Sequence, residues 1–275
     1  MFVSRLLTQS FNFKPIGYAK TIFKQKAGTP RQPTLTNAPT VIDTTSYNTE
    51  STNLGPALEK LTDFSHCWII FVFHKNDLST HQITLPHNQS RKTAKPSLKT
   101  KVSPPRLNGE KVGIFASRTP HRPNPIGMSL CKIDKVRNGK LFLKNSDLLD
   151  GTPILDIKPY ITAYDKPEKN FEIIEPEYVK TGNFKELTVE FDEQVLEKIS
   201  KLKFDLFETK DEFMEVLSDV LQHDPRSVYR KTHTPEKLFS FALDKIDIKV
   251  KFKGDQASVI DLTQLQNQKI QNEKT

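Results

Sequence analysis

Apolar residues in this chain fall into short runs of strand period, separated by clusters of Pro, Gly, Asn and Asp. Phe13 to Phe23 predicts a first strand and Pro30 to Pro39 a Pro-rich loop. Gly55-Pro56 opens a short helix through Leu61, with Pro at the first helical position. Cys67 to Phe73 is short, continuous and rich in Ile, Val and Phe, which predicts a buried strand. Leu130 to Val136 and Lys140 to Lys144 alternate around Asn138-Gly139, a strong hairpin signal. Asp156 to Tyr164 is a further strand. So many strands with so few helices between them predict a closed or nearly closed β-barrel.

The pattern changes after about Pro176. Leu187 to Phe191 reads as a strand, and Asp192 caps a helix with Val195, Leu196, Ile199 and Leu202 on one face. Thr209-Lys210-Asp211-Glu212 is a capping box, followed by Phe213, Val216, Leu217, Val220 and Leu221 at core spacing and a stop at Asp224-Pro225. Phe239 to Leu243, Ile246 to Phe252 and Ala257 to Leu262 are strands, the last two joined by Lys253-Gly254-Asp255. The predicted fold is mainly β. An N-terminal tail over 1–12 precedes a barrel over 13–175, a smaller α+β unit over 176–263 and a polar tail over 264–275. There is no internal repeat.

Gly113 to Ser129 is the most informative stretch. Arg118, His121, Arg122 and Asn124 stand among Pro120, Pro123 and Pro125, with Gly113 and Gly127 near the two ends. Each Pro fixes its own φ and moves the preceding residue out of the helical region, so the segment is held extended. Two guanidinium forks, an imidazole and a carboxamide on so constrained a backbone suit a site that holds an anionic or polar ligand in one pose.

Charge adds a partner class. The chain carries 41 Lys+Arg against 33 Asp+Glu, a net +8. No acid precedes Asp43, and from His81 to Lys111 there are seven Lys/Arg and one acid, Glu110. Two basic blocks point to a polyanion such as nucleic acid. Ser79 to Arg106 reads as a long loop, of a length that carries function or stays disordered. Cys67 and Cys131 sit among apolar neighbours and read as buried small hydrophobes in a reducing compartment. The longest apolar run is too short to span a bilayer. Among the ten glycines no two are separated by a single residue, so a G-x-G-x-x-G loop is missing, as are P-loop, C-x-x-C and H-E-x-x-H patterns. That argues against a Rossmann methyltransferase, a P-loop enzyme and a zinc site, and no metal is expected. Residues 1–10 are basic and acid-free, as in a mitochondrial presequence, but they are short with one Arg, which favours an untargeted tail and a cytoplasmic protein.

The segment Gly113 to Ser129 resembles the signature of the TsaA-like, TrmO-type tRNA methyltransferases. Further motifs agree in order: Ile16-Gly17, Pro30-Arg31-Gln32-Pro33, Phe64-Ser65-His66 with Trp68 to His74, Pro104-Pro105-Arg106-Leu107, Asp147 to Pro153, Asp156 to Tyr160, then Asp224-Pro225-Arg226 and Tyr229-Arg230-Lys231. The resemblance runs from about Phe13 to Leu262. It implies methylation of the exocyclic nitrogen of N6-threonylcarbamoyladenosine, next to the tRNA anticodon. S-adenosylmethionine is the implied donor, bound on a β-barrel between the subunits of a homodimer. The implied cofactor contacts are Pro30, Arg31, Gln32, His74, Lys75, Arg118, Met128 or its neighbour Leu130, Asn145, Ser146 and Asp147. Arg31 and Arg118 suit the methionine carboxylate, and Asp147 suits ribose hydroxyls or the amine. Lys144-Asn145-Ser146 departs from the family's Gly-containing form, and turn capping before Gly151 is the competing reading of Asp147 and Asp150. Asn124, with Arg122 beside it, is the catalytic candidate, orienting the nitrogen's N–H through its carboxamide oxygen. His121 is a candidate base, and no residue is singled out as the general base. Arg226, Arg230 and Lys231 are the implied tRNA contacts. The competing function is a tRNA-binding or adaptor module that kept the barrel and lost catalysis, against which the intact Pro30-Arg31-Gln32 and Arg118 argue.

Overall fold

A computed structural model describes residues 11–47, 53–76, 100–104, 107, 109–168, 171–177, 179 and 186–265. Most of the loop expected over Ser79 to Arg106 and nearly all of both tails lie outside the described residues. The first part of the chain forms β1 (Gly17–Thr21), β2 (Thr40–Asp43), β3 (His66–Val72), β4 (Lys101–Val102), β5 (Val112–Gly113), β6 (Ile126–Arg137), β7 (Lys140–Lys144) and β8 (Pro153–Pro159). Six of these close an antiparallel barrel in the order β1-β2-β7-β6-β3-β8, and β4 and β5 pair as a separate ribbon.

Period-two patterning fills the barrel. Ile42, Cys67, Ile69, Cys131, Leu141, Leu143 and Ile154 point inward and are buried. Cys67 and Cys131 face each other in register, both thiols free, and burial pushes the Cys67 thiol up to about 12. β3 was expected to be buried throughout but is buried on one face only, because Trp68, Ile70 and Val72 alternate outward. The hairpin forms at Asn138-Gly139, both in the left-handed region at φ 53° and 69°. β6 starts at Ile126, earlier than its apolar residues suggest, because Gly127 and Ser129 occupy inward positions. A Cβ on Gly127 would lie 2.3 Å from the Phe71 ring, so only Gly lets the two strands pair there.

Three other expectations are corrected. β2 was not foreseen from its four residues. β8 ends at Pro159, short of Tyr164, since Pro supplies no ladder N–H; a single helical turn, α1 (Thr162–Asp165), follows. The short helix at Gly55–Leu61 is instead two 3₁₀ turns, Pro56–Leu58 and Leu61–Asp63, separated by Lys60 at φ 61°.

The C-terminal unit contains β9 (Thr188–Phe191), α2 (Glu193–Ile199), α3 (Lys210–Gln222), α4 (Val228–His233), β10 (Phe239–Leu243), β11 (Ile246–Lys253) and β12 (Gln256–Gln264). Its sheet runs β10-β11-β12-β9, with β9 parallel to β12. All five predicted core residues of α3 are buried, and Thr209 Oγ1 accepts from the Glu212 N–H at 3.1 Å. The capping box is only half formed: Glu212 accepts from the Glu208 N–H at 2.7 Å and pairs with Lys144. Leu196, expected on the core face of α2, is 43% exposed.

The two units share a core. Ile22, Phe23 and Ala38 pack with the C-terminal residues and not inside the barrel. Phe23 bridges to Leu243, Asp244 donates its N–H to the Ile22 carbonyl at 2.7 Å, and Gly28 at φ 82° lets the Phe241 ring approach its backbone. Lys144–Glu212 and Lys135–Glu208 (2.9 Å) tie the hairpin to the entry of α3. A boundary at 175/176 therefore leaves part of the second core upstream. Phe23→Ala is expected to destabilise the protein by about 3–5 kcal/mol, read from the denaturant midpoint.

Candidate functional site

The loop after β7 carries the chemistry. Asn145 turns the chain at φ 55°, a left-handed conformation that Asn tolerates nearly as a Gly does, which accounts for the missing Gly in this stretch. Ser146 is fully buried and its Oγ accepts from the Leu148 N–H at 3.3 Å. Asp147 Oδ1 accepts from Ser129 Oγ at 2.5 Å. Burial holds the Asp147 carboxyl above the usual carboxylate range, against the opposing pull of the Ser129 hydrogen bond, its own backbone N–H and the Arg118 charge. The structure thus brings Arg118 and Asp147 within electrostatic reach. Sequence reasoning missed Ser129, which faces inward between the outward-facing Met128 and Leu130; the period-two register was the available signal.

Asp150 has a different role. Its Oδ1 accepts from the Thr21 N–H at 2.9 Å and lies 3.2 Å from Lys24 Nζ, while its own N–H donates to the Phe23 carbonyl at 2.9 Å. It is the clasp of the loop, and its bonds reach residues far along the chain instead of capping the local turn as expected. The clasp ties the end of β1 to the site loop, and Pro30, Arg31 and Gln32 follow on the segment leaving β1. Pro30 is half-buried, and Arg31 and Gln32 are exposed. The Pro33–Leu35 turn after them lies against β6.

His74 and Lys75 come from the end of β3. His74 Nδ1 is 3.4 Å from Thr152 Oγ1, and its Nε2 is buried with no hydrogen-bond partner. Burial lowers the His74 pKa, with the Lys75 charge in the same direction and the Asp150 backbone and charge opposing it. The imidazole is therefore neutral at pH 7, with Nε2 enclosed by the protein. Lys75 Nζ donates to the Lys24 carbonyl at 2.9 Å. Asn76 was not foreseen. Buried beside them, it donates to the Pro120 carbonyl at 2.8 Å, and the Phe73 N–H donates to the Pro125 carbonyl at 2.8 Å. These bonds fasten the Pro-rich segment to β3.

Within that segment Arg122 is a brace. Its Nη1 donates to the Ile114 carbonyl at 3.1 Å and the Ser117 carbonyl at 2.7 Å, and its guanidinium lies 5.5 Å from the centre of the Phe115 ring. Arg118, His121 and Asn124 remain exposed. Among the described residues no group of His, Cys, Asp or Glu has the arrangement to hold a metal ion, and no helix is long and apolar enough to cross a membrane.

The C-terminal cations separate into two kinds. Arg226 is 8% exposed, forks onto Asp224 at 2.9 Å from both Nε and Nη2, donates to the Pro235 carbonyl at 3.2 Å and lies 3.9 Å over the Phe252 ring. This corrects its expected place among the RNA contacts: its donors are spent inside the unit. Arg230 and Lys231 are exposed on α4, with Lys231 Nζ 3.0 Å from Asp224.

Residues 18–166 match the tRNA-methyltransferase O N-terminal domain, and residues 185–265 match the TrmO C-terminal domain. The chain belongs to the tRNA-methyltransferase O family. The tRNA (adenine(37)-N6)-methyltransferase of Escherichia coli K12 is 32% identical over 251 residues, 87% of this chain and 92% of that protein. The protein of the same name from Mus musculus is 44% identical over 158 residues; the match covers 56% of this chain but only 32% of that protein's length. The crystal structure of TrmO from Pseudomonas aeruginosa superposes with a TM-score of 0.63 at 26% identity, covering 93% of this chain and all of that one. Both matched domains are thus present here, with Ile22, Phe23 and Ala38 of the first packed into the core of the second.

A carboxyl whose native pKa is raised favours the folded state below its unfolded pKa and loses that contribution as pH rises through the native value. Asp147→Asn is therefore expected to melt higher than the unsubstituted protein at pH 7. The difference should vanish as the pH falls below the ordinary carboxylate range. Calorimetric melts across a pH series check this.

Proposed function

We propose that this chain transfers a methyl group from S-adenosylmethionine to the N6 nitrogen of N6-threonylcarbamoyladenosine beside the tRNA anticodon. The observation that carries the reading is the half-buried Asp147 carboxylate, held by Ser129 and within the electrostatic reach of Arg118, at the barrel end where His74 keeps an unpartnered Nε2. A zwitterionic ligand with a carboxylate, an amine, ribose hydroxyls and a purine fits such a set. Arg118 takes the carboxylate, with Arg31 as a second fork, and Asp147 takes the hydroxyls or amine. S-adenosylmethionine, when bound, supplies an activated methyl group on a sulfonium, so the protein's task is alignment.

Asn124 orients the base nitrogen by accepting its N–H, and Arg122 positions the segment on which Asn124 sits. A homodimer completes the site. Its interface is the outer apolar stripe made by the cross-strand pairs Trp68–Leu130, Ile70–Met128 and Val72–Ile126, where Met128 is 46% and Ile126 43% exposed. Arg230 and Lys231 hold tRNA phosphates. The adaptor reading finds no support in a site that retains both Arg118 and a desolvated carboxylate.

The deciding experiment assays methyl transfer to tRNA with and without the threonylcarbamoyl group. Transfer only to the modified tRNA is expected; equal rates on unmodified adenosine would mean another acceptor. Arg118→Ala is expected to weaken S-adenosylmethionine binding about tenfold to a hundredfold by calorimetry, the loss of one charge-assisted contact. Replacing Arg230 and Lys231 by Ala should flatten the salt dependence of tRNA binding by about one log–log unit per lost phosphate contact, leaving cofactor affinity unchanged.

A further inference from the structure

We propose that Tyr229 and His233 form a stacking platform for an unpaired base of the RNA, a role that rests on the tRNA reading above and adds base recognition to it. Their rings lie parallel, 4.4 Å apart at 16°, and Tyr229 is 67% exposed. One face of each ring is taken by the other, so the outer face of the stack meets solvent. The imidazole is fixed, with His233 Nδ1 2.7 Å from Thr232 Oγ1 and 3.2 Å from the Tyr229 carbonyl, and the Tyr229 ring is held against it by the stack.

The helix beneath them is fixed as well. Six residues are too few for a helix to hold itself in water. α4 is held instead by Ser227, whose Oγ accepts from the Arg230 N–H at 3.3 Å, and by Arg226, which joins Asp224 before the helix to Pro235 after it. The buried Arg226 thus acts as a positioning residue for the exposed rings. A ring already immobilised loses little entropy when a ligand stacks on it.

The surrounding charge selects the ligand. From Ser227 to Lys237 the chain carries Arg230, Lys231 and Lys237 as well as His233, against one acid, Glu236. An apolar protein partner does not suit a cationic rim. A polyanion with accessible π faces does, which describes single-stranded nucleic acid; a duplex keeps its base faces stacked internally. An unpaired base of the anticodon loop therefore lies on Tyr229 while the cations hold the adjoining phosphates.

The test uses the full chain, an anticodon stem–loop RNA with 2-aminopurine in the loop, and a duplex RNA of equal charge. Tyr229→Ala is expected to weaken stem–loop binding about fivefold to a hundredfold, to abolish the quenching of 2-aminopurine and to leave the salt slope unchanged. Tyr229→Phe should stay within about twofold and Tyr229→Leu should behave like Ala, since stacking needs the ring. Duplex binding and S-adenosylmethionine affinity should not move in any variant. Wild-type affinity in Tyr229→Ala, equal binding by the Leu and Phe variants, or a parallel loss of duplex binding would each overturn the platform. So would a change in oligomeric state in light scattering, which would make the ring a subunit contact. If the unsubstituted protein binds no RNA at all, the tRNA reading fails with it; binding that ignores Tyr229 removes the platform alone.

Discussion

The structure hangs on the clasp between the end of β1 and the loop before β8. Thr21, fully buried, donates its N–H to Asp150 and its hydroxyl to the Leu148 carbonyl at 2.9 Å, while Asp150 and Gly151 return their N–H groups to the Phe23 and Ala19 carbonyls. Buried polar groups that are fully paired in this way fix one geometry, because every slipped alternative leaves a donor or acceptor unsatisfied. Three things follow from that one alignment. The barrel closes between β1 and β8, Asp147 is held against Ser129, and Ile22 and Phe23 are aimed out of the barrel into the C-terminal core.

The same clasp explains why the site tolerates its own disfavoured groups. Asp147 keeps a carboxylate in a desolvated position and His74 keeps a ring nitrogen without a partner. Each works against folding by itself. They persist because the loop bearing Asp147 and the strand bearing His74 are anchored by bonds that do not involve the site: Asp150 with Thr21, and Asn76 with Pro120. Stability and function are thus divided between neighbouring residues of the same short segments.

Much of this was legible in the sequence. Strand-period alternation located β7, β9, β10, β11 and β12 closely, Asn138-Gly139 marked the hairpin, and the spacing from Phe213 to Leu221 gave the buried face of α3. What was not legible has common causes. The start of β6 is not legible because its inward positions are Gly and Ser, which carry no hydrophobic signal although one admits the Phe71 ring and the other holds Asp147. Arg226 looked like an RNA contact because sequence gives a cation's charge but not its direction; only the fold turns it onto Asp224 and Phe252. Asn76 and Asp150 bond to residues far along the chain, and no local pattern encodes such a pairing. Ile22 and Phe23 continue the pattern of a barrel strand, so nothing local shows that they pack into the second core.

That last arrangement bears on how the chain is made. Synthesis runs from the N-terminus, so every barrel strand has emerged once Pro159 is exposed, and the barrel can close then. Ile22, Phe23 and Ala38 find their partners only when β10 to β12 and the parallel β9–β12 pair are complete. For the time it takes to translate roughly a hundred further residues, a finished barrel carries an apolar ledge awaiting its other half. A ribosomal pause or a truncation in that interval leaves a species that is folded yet sticky, and it is here, not at the barrel itself, that a chaperone would have most to cover.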